Sequence, residues 1–414
     1  MEQAEGYLDD RQKKGFTVIQ AVALHWDGLN HANPDGQLAL IDRDPTKPND
    51  KYFDEAGKLI DMVAAHGMYT AVVPLWFKTY INTKPWLLNP ETAESYGKYL
   101  GARWRDKPIL WILGGDTPGG PSRDPAHTPD AALEDICRAL AKGLHEGDGG
   151  AHLITYHPTG SVDGQCSSWW FQNESWLSFN ALQSGHFTQN HNYKIVAQDW
   201  QKTPTKPVID LESGYENITD RLVRTGGPNV KRIRPWDVRR YAYLSVFAGA
   251  TGYTYGNVDI FGFSLPTTRP TGYGDGLGWQ ASMQRPAAGQ MQFLRKLIES
   301  RPMLERIPDQ TMLAGEAGEA TDRIEATRGA DGSYAFVFDG SGRPFALRVG
   351  ELTGSKLTAW WYSPRDGTAT PIGAIDKADS QQFTPPSKGE DNDWVLVLDD
   401  AAKDYPPPGE AFKQ

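Results

Sequence analysis

Two acidic residues stand where strongly apolar segments of the chain end. Asp116 follows residues 108–113 and a pair of glycines, and Glu212 closes residues 207–211. Continuous apolar runs predict strands covered on both faces, as in a parallel α/β sheet. Ligands of such sheets bind beyond the carboxyl ends of the strands, where both acids are expected. Two carboxylates there, with several tryptophans nearby, predict cleavage of glycosidic bonds.

This chemistry commonly needs one carboxyl group that protonates the leaving oxygen and one carboxylate beside the anomeric carbon. Gly114 and Gly115 would let the backbone approach a ligand closely, because glycine has no side chain. Each acid also has a structural interpretation. Asp116 could cap the turn that begins at Thr117, and Glu212 could form an ion pair with an arginine.

Other polar and aromatic residues fall at predicted strand ends or in the loops that follow them. They could bind sugar hydroxyls or stack on sugar rings, although each could instead be a buried, hydrogen-bonded histidine or a packed aromatic residue. The candidate substrate-binding residues are His25, Trp26, Asp27, Trp76, Trp111, His157, His186, Asp210, Tyr215, Glu216, Tyr255 and Trp279. The histidines lack the H-E-x-x-H spacing of zinc proteases, and we predict neither a metal site nor a cofactor.

The elements that would position these residues alternate between strand and helix through about residue 300. Strands are predicted at residues 15–24, 69–76, 108–116, 152–157, 178–183, 207–212 and 252–256. Seven strands with helices between them predict an α/β fold, a (β/α)₈ TIM-type barrel with one strand unaccounted for. The chain opens on a helix-like segment over residues 5–14, so we expect the first strand to be missing. A distant segment that fills the gap is the alternative.

If a first strand is counted, Asp116 ends the fourth strand and Glu212 the seventh, and these positions face one another across a barrel mouth. Beyond Arg301-Pro302 the pattern changes to short alternating segments separated by Asp-Gly turns. We therefore predict a catalytic domain over residues 1–300 and an all-β sandwich domain over residues 301–414. The predicted sandwich strands are residues 323–327, 334–338, 345–349, 357–362 and 394–398.

Composition narrows the class of protein. A net charge of −10 argues against a nucleic-acid or anionic-membrane partner, and no apolar stretch is long enough to span a bilayer. Cys137 and Cys166 are the two cysteines, which we expect to remain thiols. The first residues show no signal peptide. The expected partner is an oligosaccharide or polysaccharide, and the oligomeric state is left open.

Several stretches together resemble a known family. Residues 109–116, Tyr156-His157-Pro158, residues 182–186 and residues 212–216 resemble the apiosidase-like bacterial glycosidases, glycoside hydrolase family 140. Residues 359–365 and 392–398 resemble the small β-domain that these proteins carry, which is labelled collagen-binding. The resemblance covers nearly the whole chain. Family members usually begin with a further strand that ends in an aspartate-rich turn, and this chain departs from that pattern.

The resemblance implies that Asp116 is the acid/base and Glu212 the nucleophile. It also implies the release of apiose, or of a chain attached through it, from the side chains of plant pectin. Retention of configuration is expected, with carboxyl groups ~5–5.5 Å apart, whereas ~6.5–9.5 Å would indicate inversion. Relatives are usually secreted or periplasmic, so we expect an exported protein without its leader, or a cytoplasmic one. The alternative function is a carbohydrate-binding or scaffold protein with impaired catalysis.

Overall fold

The computed structural model describes residues 1–24, 28–81, 86–117, 131–160, 165–221, 231–267 and 273–412. The chain divides into two compact units. The N-terminal unit contains Met1–Ser161, Gln165–Gln183 and Lys202–Pro207, and the C-terminal unit is built mainly from Ser184–Gln201 and Val208–Gln414. His25, Trp26 and Asp27, which were predicted to bind substrate, lie outside the described residues.

A parallel sheet forms the centre of the N-terminal unit. Its strands, in spatial as well as chain order, are β1 (Val18–Leu24), β2 (Tyr69–Leu75), β3 (Ile109–Gly114) and β4 (Ile154–His157). Two short strands, β5 (Gln165–Cys166) and β6 (Asn180–Gln183), pair antiparallel. Almost every residue of β2 and β3 is buried, as expected for parallel strands covered on both faces.

Helices cover this sheet, and local signals explain where they start. They are α1 (Glu2–Lys13), α2 (Asp50–Ala65), α3 (Phe77–Ile81), α4 (Pro90–Trp104), α5 (Ala131–Asp148) and α6 (Ser168–Phe171). At the start of α4 the Asn89 side chain accepts a hydrogen bond from the backbone N–H of Thr92 at 2.9 Å, and Pro90 takes the first helical position. Both features satisfy or remove backbone donors that the first turn leaves unpaired.

A seam of glycines brings α4 and α5 into backbone contact. Gly97 and Gly101 lie one turn apart on α4, and Gly143 and Gly147 lie one turn apart on α5. A Cβ atom on Gly143 would lie 2.1 Å from the carbonyl oxygen of Glu94, which belongs to the backbone of the facing helix. The two helices can therefore pack this closely only because these positions carry no side chain.

We predict that Gly143→Ala lowers the free energy of unfolding by about 3 kcal/mol, because overpacking against a backbone atom forces the helices apart. Gly289→Ala is the matched control, since Gly289 lies in a helix of the C-terminal unit with no atom within 4 Å of the new methyl group. The control should gain about 0.5–1 kcal/mol. Urea denaturation followed by tryptophan fluorescence measures both changes. A Gly143→Ala variant as stable as wild type would contradict the packing argument.

The C-terminal unit contains a parallel strand pair, helices and antiparallel sheets. The strand pair is β7 (Val208–Glu212) and β8 (Gly252–Tyr253), and the helices are α7 (Asn192–Trp200), α8 (Pro235–Phe247), α9 (Trp279–Ser282) and α10 (Pro286–Glu299). The remaining strands are β9 (Arg306–Pro308), β10 (Ile324–Gly329), β11 (Tyr334–Asp339), β12 (Phe345–Leu347), β13 (Lys356–Tyr362), β14 (Ala369–Asp376), β15 (Gln381–Phe383) and β16 (Trp394–Asp400).

Six of these strands form one antiparallel sheet in the order β14-β13-β16-β11-β10-β9, and β12 pairs with β15 in a second. One face of the larger sheet contributes to an apolar core that includes Phe345 and Phe383 of the smaller one. The opposite face packs against α8, where Tyr243 stacks on Phe338 with ring centroids 5.0 Å apart. The C-terminal sheets and α8 therefore belong to one compact unit.

The observed elements confirm a parallel-sheet part followed by an antiparallel C-terminal part. Strands occur at all seven positions predicted for the parallel part and at all five predicted for the sandwich, while β5, β9, β14 and β15 were not predicted. Closure into an eight-stranded barrel stays a prediction.

Cys137 and Cys166 are buried thiols that form no disulfide. Within the described residues, no helix combines the length and apolar character needed to cross a membrane.

Candidate active site

The backbone that follows β3 takes an unusual path to Asp116. Gly114, Gly115 and Asp116 have positive φ angles of 82°, 115° and 55°. A Cβ atom on Gly115 would lie 2.6 Å from the indole ring of Trp76, and one on Gly114 would lie 2.6 Å from the ring of Tyr156. Because only glycine leaves room for these rings, the pair places Asp116 beside aromatic side chains.

Two side chains orient the Asp116 carboxylate. The Gln183 amide at the end of β6 donates a hydrogen bond to Oδ1 at 2.9 Å, and the Lys78 ammonium donates to Oδ2 at 3.0 Å. The Asp116 side chain is 21% exposed and that of Lys78 is 51% exposed. An ion pair this close to solvent is worth only ~0–1 kcal/mol. Asp116 is therefore held by two hydrogen bonds and still has access to solvent.

Two of the predicted sugar-binding residues lie together in this unit. The rings of Trp76 and His157 make an edge-to-face contact, with centroids 5.1 Å apart. His157 is fully buried, and its Nδ1 atom lies 2.9 Å from the carbonyl oxygen of Pro158. Trp76 is partly exposed and also contacts Gly115. The indole of Trp76 is thus the aromatic surface that accompanies Asp116.

Glu212, in the C-terminal unit, is buried at the end of β7 with 8% of its side chain exposed. His186 Nε2 lies 3.1 Å from Glu212 Oε1. On the other side of the imidazole, Nδ1 lies 3.1 Å from the carbonyl oxygen of Ser213 and 3.4 Å from the backbone nitrogen of Tyr215. His186 is therefore the group that holds one oxygen of the Glu212 carboxylate.

The histidine can hold that oxygen in either protonation state. A neutral ring with its proton on Nε2 donates to Glu212, while Nδ1 accepts the N–H of Tyr215. A protonated ring donates to both Glu212 and the carbonyl of Ser213. In both of these states Nε2 donates to Glu212 Oε1.

Asp210 lies on the same strand as Glu212 and, because side chains alternate along a strand, on the same side of it. It is fully buried. The Ser184 hydroxyl donates to Oδ2 at 2.7 Å, and the Asn192 amide donates to the same oxygen at 3.0 Å. Burial raises the pKa of Asp210 to about 6. The charge of Glu212 adds to that rise, and the hydrogen bonds to Asn192 and Ser184 oppose it. Strand β7 thus carries two buried acids on one side, Asp210 held by Ser184 and Asn192 and Glu212 held by His186.

We predict that Asp210 makes the stability of the protein depend on pH. Its folded pKa of about 6 exceeds the ordinary value of 3.8, so the folded protein binds more protons than the unfolded chain between these two values. The contribution of Asp210 to the free energy of unfolding is full below pH 4 and falls by about 3 kcal/mol as the pH rises through 6. In urea denaturation between pH 4 and pH 7, the free energy of unfolding of Asp210→Asn should fall by about 3 kcal/mol less than that of wild type.

Asp61→Asn is the control for this measurement, because the Asp61 side chain is 62% exposed. Its stability curve should run parallel to that of wild type. If the Asp210→Asn curve also ran parallel to wild type, the carboxyl group at position 210 would not be the source of the pH dependence.

Helix α8 holds the segment that carries His186. The Tyr241 hydroxyl donates to the carbonyl of Phe187 at 2.9 Å, and the Arg240 guanidinium donates to the carbonyl of Thr188 at 3.1 Å. Arg240 is fully buried and also approaches Asp237 at 3.3 Å. These donors pair the carbonyls that directly follow His186, so α8 determines where that histidine lies.

The turn after β11 reaches the same arginine. The Trp236 indole donates to the carbonyl of Gly340 at 2.8 Å, and the Arg240 guanidinium lies 4.6 Å from the centre of the Trp236 ring. A Cβ atom on Gly340 would lie 3.0 Å from Arg240 Cδ. The antiparallel sheet is therefore linked through α8 to the segment that carries His186.

We predict that Arg240→Met lowers both stability and activity. The substitution removes the buried charge that pairs with Asp237 Oδ1 and the donor to the Thr188 carbonyl, which costs about 3–5 kcal/mol. Loss of the correct position of His186 should lower kcat/KM by about tenfold or more. Arg295→Met, at a position 45% exposed, is the control and should change neither quantity measurably. An Arg240→Met variant with normal activity would show that α8 does not position the histidine.

The structure is at odds with the predicted sugar contact of Trp111. Its side chain is fully buried, its ring stacks on Trp104 at 6.0 Å, and its N–H donates to Asp148 at 3.1 Å. Trp111 lies in the core of the N-terminal unit and not at the end of the strand, so the prediction for this residue is corrected.

Glu216 and Tyr255 also have structural partners. The Tyr255 hydroxyl donates to Glu216 Oε2 at 2.6 Å, and the backbone N–H of Ala287 donates to Oε1 at 3.1 Å. A carboxylate at this position satisfies unpaired donors in the first turn of α10. Glu216 therefore caps the N-terminus of α10. Its position four residues after Glu212 in the sequence did not indicate this role.

Two further aromatic residues that were predicted to bind substrate, Tyr215 and Trp279, follow β7 and β8 along the chain. The ring of Tyr215 lies 4.5 Å from that of His186 and so close to Gly256 that a Cβ atom there would meet it at 2.0 Å. Trp279 is 5% exposed and packs edge-to-face on Phe263. Tyr215 thus lies beside His186, the partner of Glu212, whereas Trp279 at the start of α9 packs on the loop that precedes this helix.

Sequence reasoning missed the side chains that donate to Asp116 and Asp210, which are Lys78 and Gln183 for the first and Ser184 and Asn192 for the second. Gln183 and Ser184 occur in the stretch that carries the family resemblance, so a signal existed there. Lys78 is an ordinary exposed lysine on a short helix and gives none. No group of three or more His, Cys, Asp or Glu side chains in the described part of the chain is arranged to hold a metal ion.

The family model "Apiosidase-like, catalytic domain" matches residues 1–305, and the model "Putative collagen-binding domain of a collagenase" matches residues 307–399. No curated protein matches the chain.

Solved structures are similar over the whole length. A glycoside hydrolase of family 5 from Bacteroides vulgatus shares 34% identity with a TM-score of 0.87, over 100% of this chain and 89% of its own. Another structure, described only as a glycoside hydrolase, shares 33% identity with a TM-score of 0.86, over 98% of this chain and 90% of its own. A further Bacteroides vulgatus structure, at 15% identity and a TM-score of 0.63 over 96% of this chain and 75% of its own, shows a likeness of fold alone.

The protein is a glycoside hydrolase. Because the catalytic family model matches well over half of the residues, the chain belongs to the apiosidase-like family, and a collagen-binding-type domain follows the catalytic domain.

Proposed function

We propose that the protein hydrolyses a glycosidic bond of apiose in the side chains of plant pectin, with net retention of configuration. Asp116 is the acid/base and Glu212 the nucleophile. In this proposal the parallel strands belong to an eight-stranded barrel in which β3 is the fourth strand and β7 the seventh. Membership of the apiosidase-like family supports the choice of sugar.

The observation that carries the proposal is the contrast between the two carboxylates. Glu212 is buried and one of its oxygens is held by His186, which suits a nucleophile that must approach one carbon atom in a fixed direction. Asp116 is partly exposed and held by a weak ion pair, which suits a group that loses and regains a proton in each cycle. The two environments therefore match two different roles.

In the first step the Glu212 carboxylate forms a bond to the anomeric carbon as the bond to the leaving oxygen breaks, and Asp116 gives its proton to that oxygen. In the second step Asp116 takes a proton from water, whose oxygen displaces Glu212 from the sugar. Lys78 can swing aside when the leaving group binds, because its contact with Asp116 costs little to break. Gln183 keeps the carboxyl group in place.

We predict that wild type releases apiose or an apiose-linked fragment from pectic oligosaccharides, and that Asp116→Asn and Glu212→Gln do not. Loss of the proton donor should slow the reaction by about 10²–10⁴-fold. The products are followed by chromatography and by NMR of the newly formed anomeric centre. Asp61→Asn, which alters an exposed acid, is the control for a general effect of lost charge and should retain full activity.

An activated aryl glycoside separates the two roles, because its leaving group departs without a proton. Asp116→Asn should form the glycosyl-enzyme from this substrate at a near-normal rate, whereas Glu212→Gln should stay inactive. Inverted product from wild type would overturn the nucleophile assignment. Binding of pectic oligosaccharide without turnover would favour the alternative function, a carbohydrate-binding or scaffold protein.

The domain over residues 307–399 matches a family model named for collagen binding. We propose that in this chain it supports the catalytic part, and its packing on α8 and its link to Arg240 support that role.

A further inference from the structure

The loop between β8 and α9 exposes several large apolar side chains. Phe261 is 57% exposed, and four further apolar side chains of the loop are at least half exposed: Phe263, Leu265, Tyr273 and Leu277. Exposed apolar residues are common on proteins, so exposure alone does not identify which of these side chains binds a ligand.

One member of this group connects to the Glu212 environment through aromatic contacts. Phe261 lies 6.1 Å from the ring of Tyr215, and Tyr215 lies 4.5 Å from the ring of His186. His186 in turn holds the Glu212 carboxylate. The rings form a continuous path that starts at the proposed nucleophile and ends on an exposed phenylalanine.

Hydrogen bonds within the loop fix the position of Phe261. Its backbone N–H donates to the carbonyl of Asn257 at 3.1 Å, and the N–H of Ser264 donates to the carbonyl of Asp259 at 2.9 Å. The Ser282 hydroxyl donates to the buried carboxylate of Asp259 at 2.8 Å, which ties the loop to α9. An aromatic side chain presented on such a turn needs little ordering when a ligand binds.

We propose that Phe261, together with Tyr215, forms a subsite for a further sugar ring of the bound glycan, outside the one whose bond is cleaved. The apolar face of a sugar ring stacks on an aromatic ring, and a chain that runs from Glu212 along the path reaches Phe261. This inference rests on the proposed function, because it places the cleaved sugar at Glu212. It makes the enzyme selective for an extended oligosaccharide over a single glycoside.

Phe261→Ala tests the subsite through the ratio of two activities. The variant should lose about tenfold in kcat/KM on a pectic oligosaccharide and keep its activity on an activated aryl glycoside of one sugar, which does not reach the loop. Phe261→Trp should restore the oligosaccharide activity, since it keeps an aromatic face. Leu265→Ala is the matched control. It removes a 73% exposed side chain from the same loop, outside the aromatic path, and should change neither activity.

Binding of the same oligosaccharide to the Glu212→Gln protein, measured by titration calorimetry, separates this inference from the proposed function. Adding Phe261→Ala to that background should weaken binding about tenfold. If wild type turned over neither substrate while Phe261 still strengthened binding, the proposed function would fail and the subsite would stand. Equal losses on both substrates, no loss on the oligosaccharide, or the same loss in Leu265→Ala would overturn the subsite.

Discussion

A carboxylate taken out of water needs hydrogen-bond donors or a positive charge nearby, and β7 carries two buried carboxyl groups within three residues. Asp210 receives donors from Ser184 and Asn192, and Glu212 receives one from His186. All three donors belong to one segment, so its conformation has to be maintained. Helix α8 pairs the carbonyls that follow His186, and the antiparallel sheet packs on the other side of α8. The need to satisfy two buried acids thus accounts for much of the organisation of the C-terminal unit.

Elements with strong local signals were predictable from the sequence, and those that depend on distant packing were not. The apolar runs of β2 and β3 identified these strands correctly, and the cap at Asn89 with Pro90 is a local signal of the same kind for the start of α4. Strand β14 was missed because it is largely exposed and contains Pro371 and Gly373, so it shows no apolar alternation. The close packing of α4 on α5 through their glycines was also not predictable from local sequence. Glycine lowers helix propensity, and its use there depends on a facing helix that local sequence does not reveal.

The candidate site was partly predictable for similar reasons. Asp210 and Glu212 alternate on one strand, so their shared side followed from strand geometry. Trp76 and Trp111 looked equivalent, since a strand buried on both faces does not reveal which face an indole takes. The structure places Trp111 against Trp104 in the core and Trp76 beside Gly115. Glu216 could not be recognised as the partner of α10, because Ala287 lies 71 residues further along the chain. Lys78 offered no signal, because its role depends on the turn after β3.

The most direct test of the central claim is to identify the residue that forms the covalent glycosyl-enzyme intermediate. A fluorinated apiosyl donor with an activated leaving group slows the second step more than the first and lets the intermediate accumulate. Peptide mass spectrometry of the trapped protein then locates the sugar. The account predicts a single label on Glu212, absent from Glu212→Gln and still formed in Asp116→Asn. A label on another carboxylate, or turnover with inversion and no label, would contradict it.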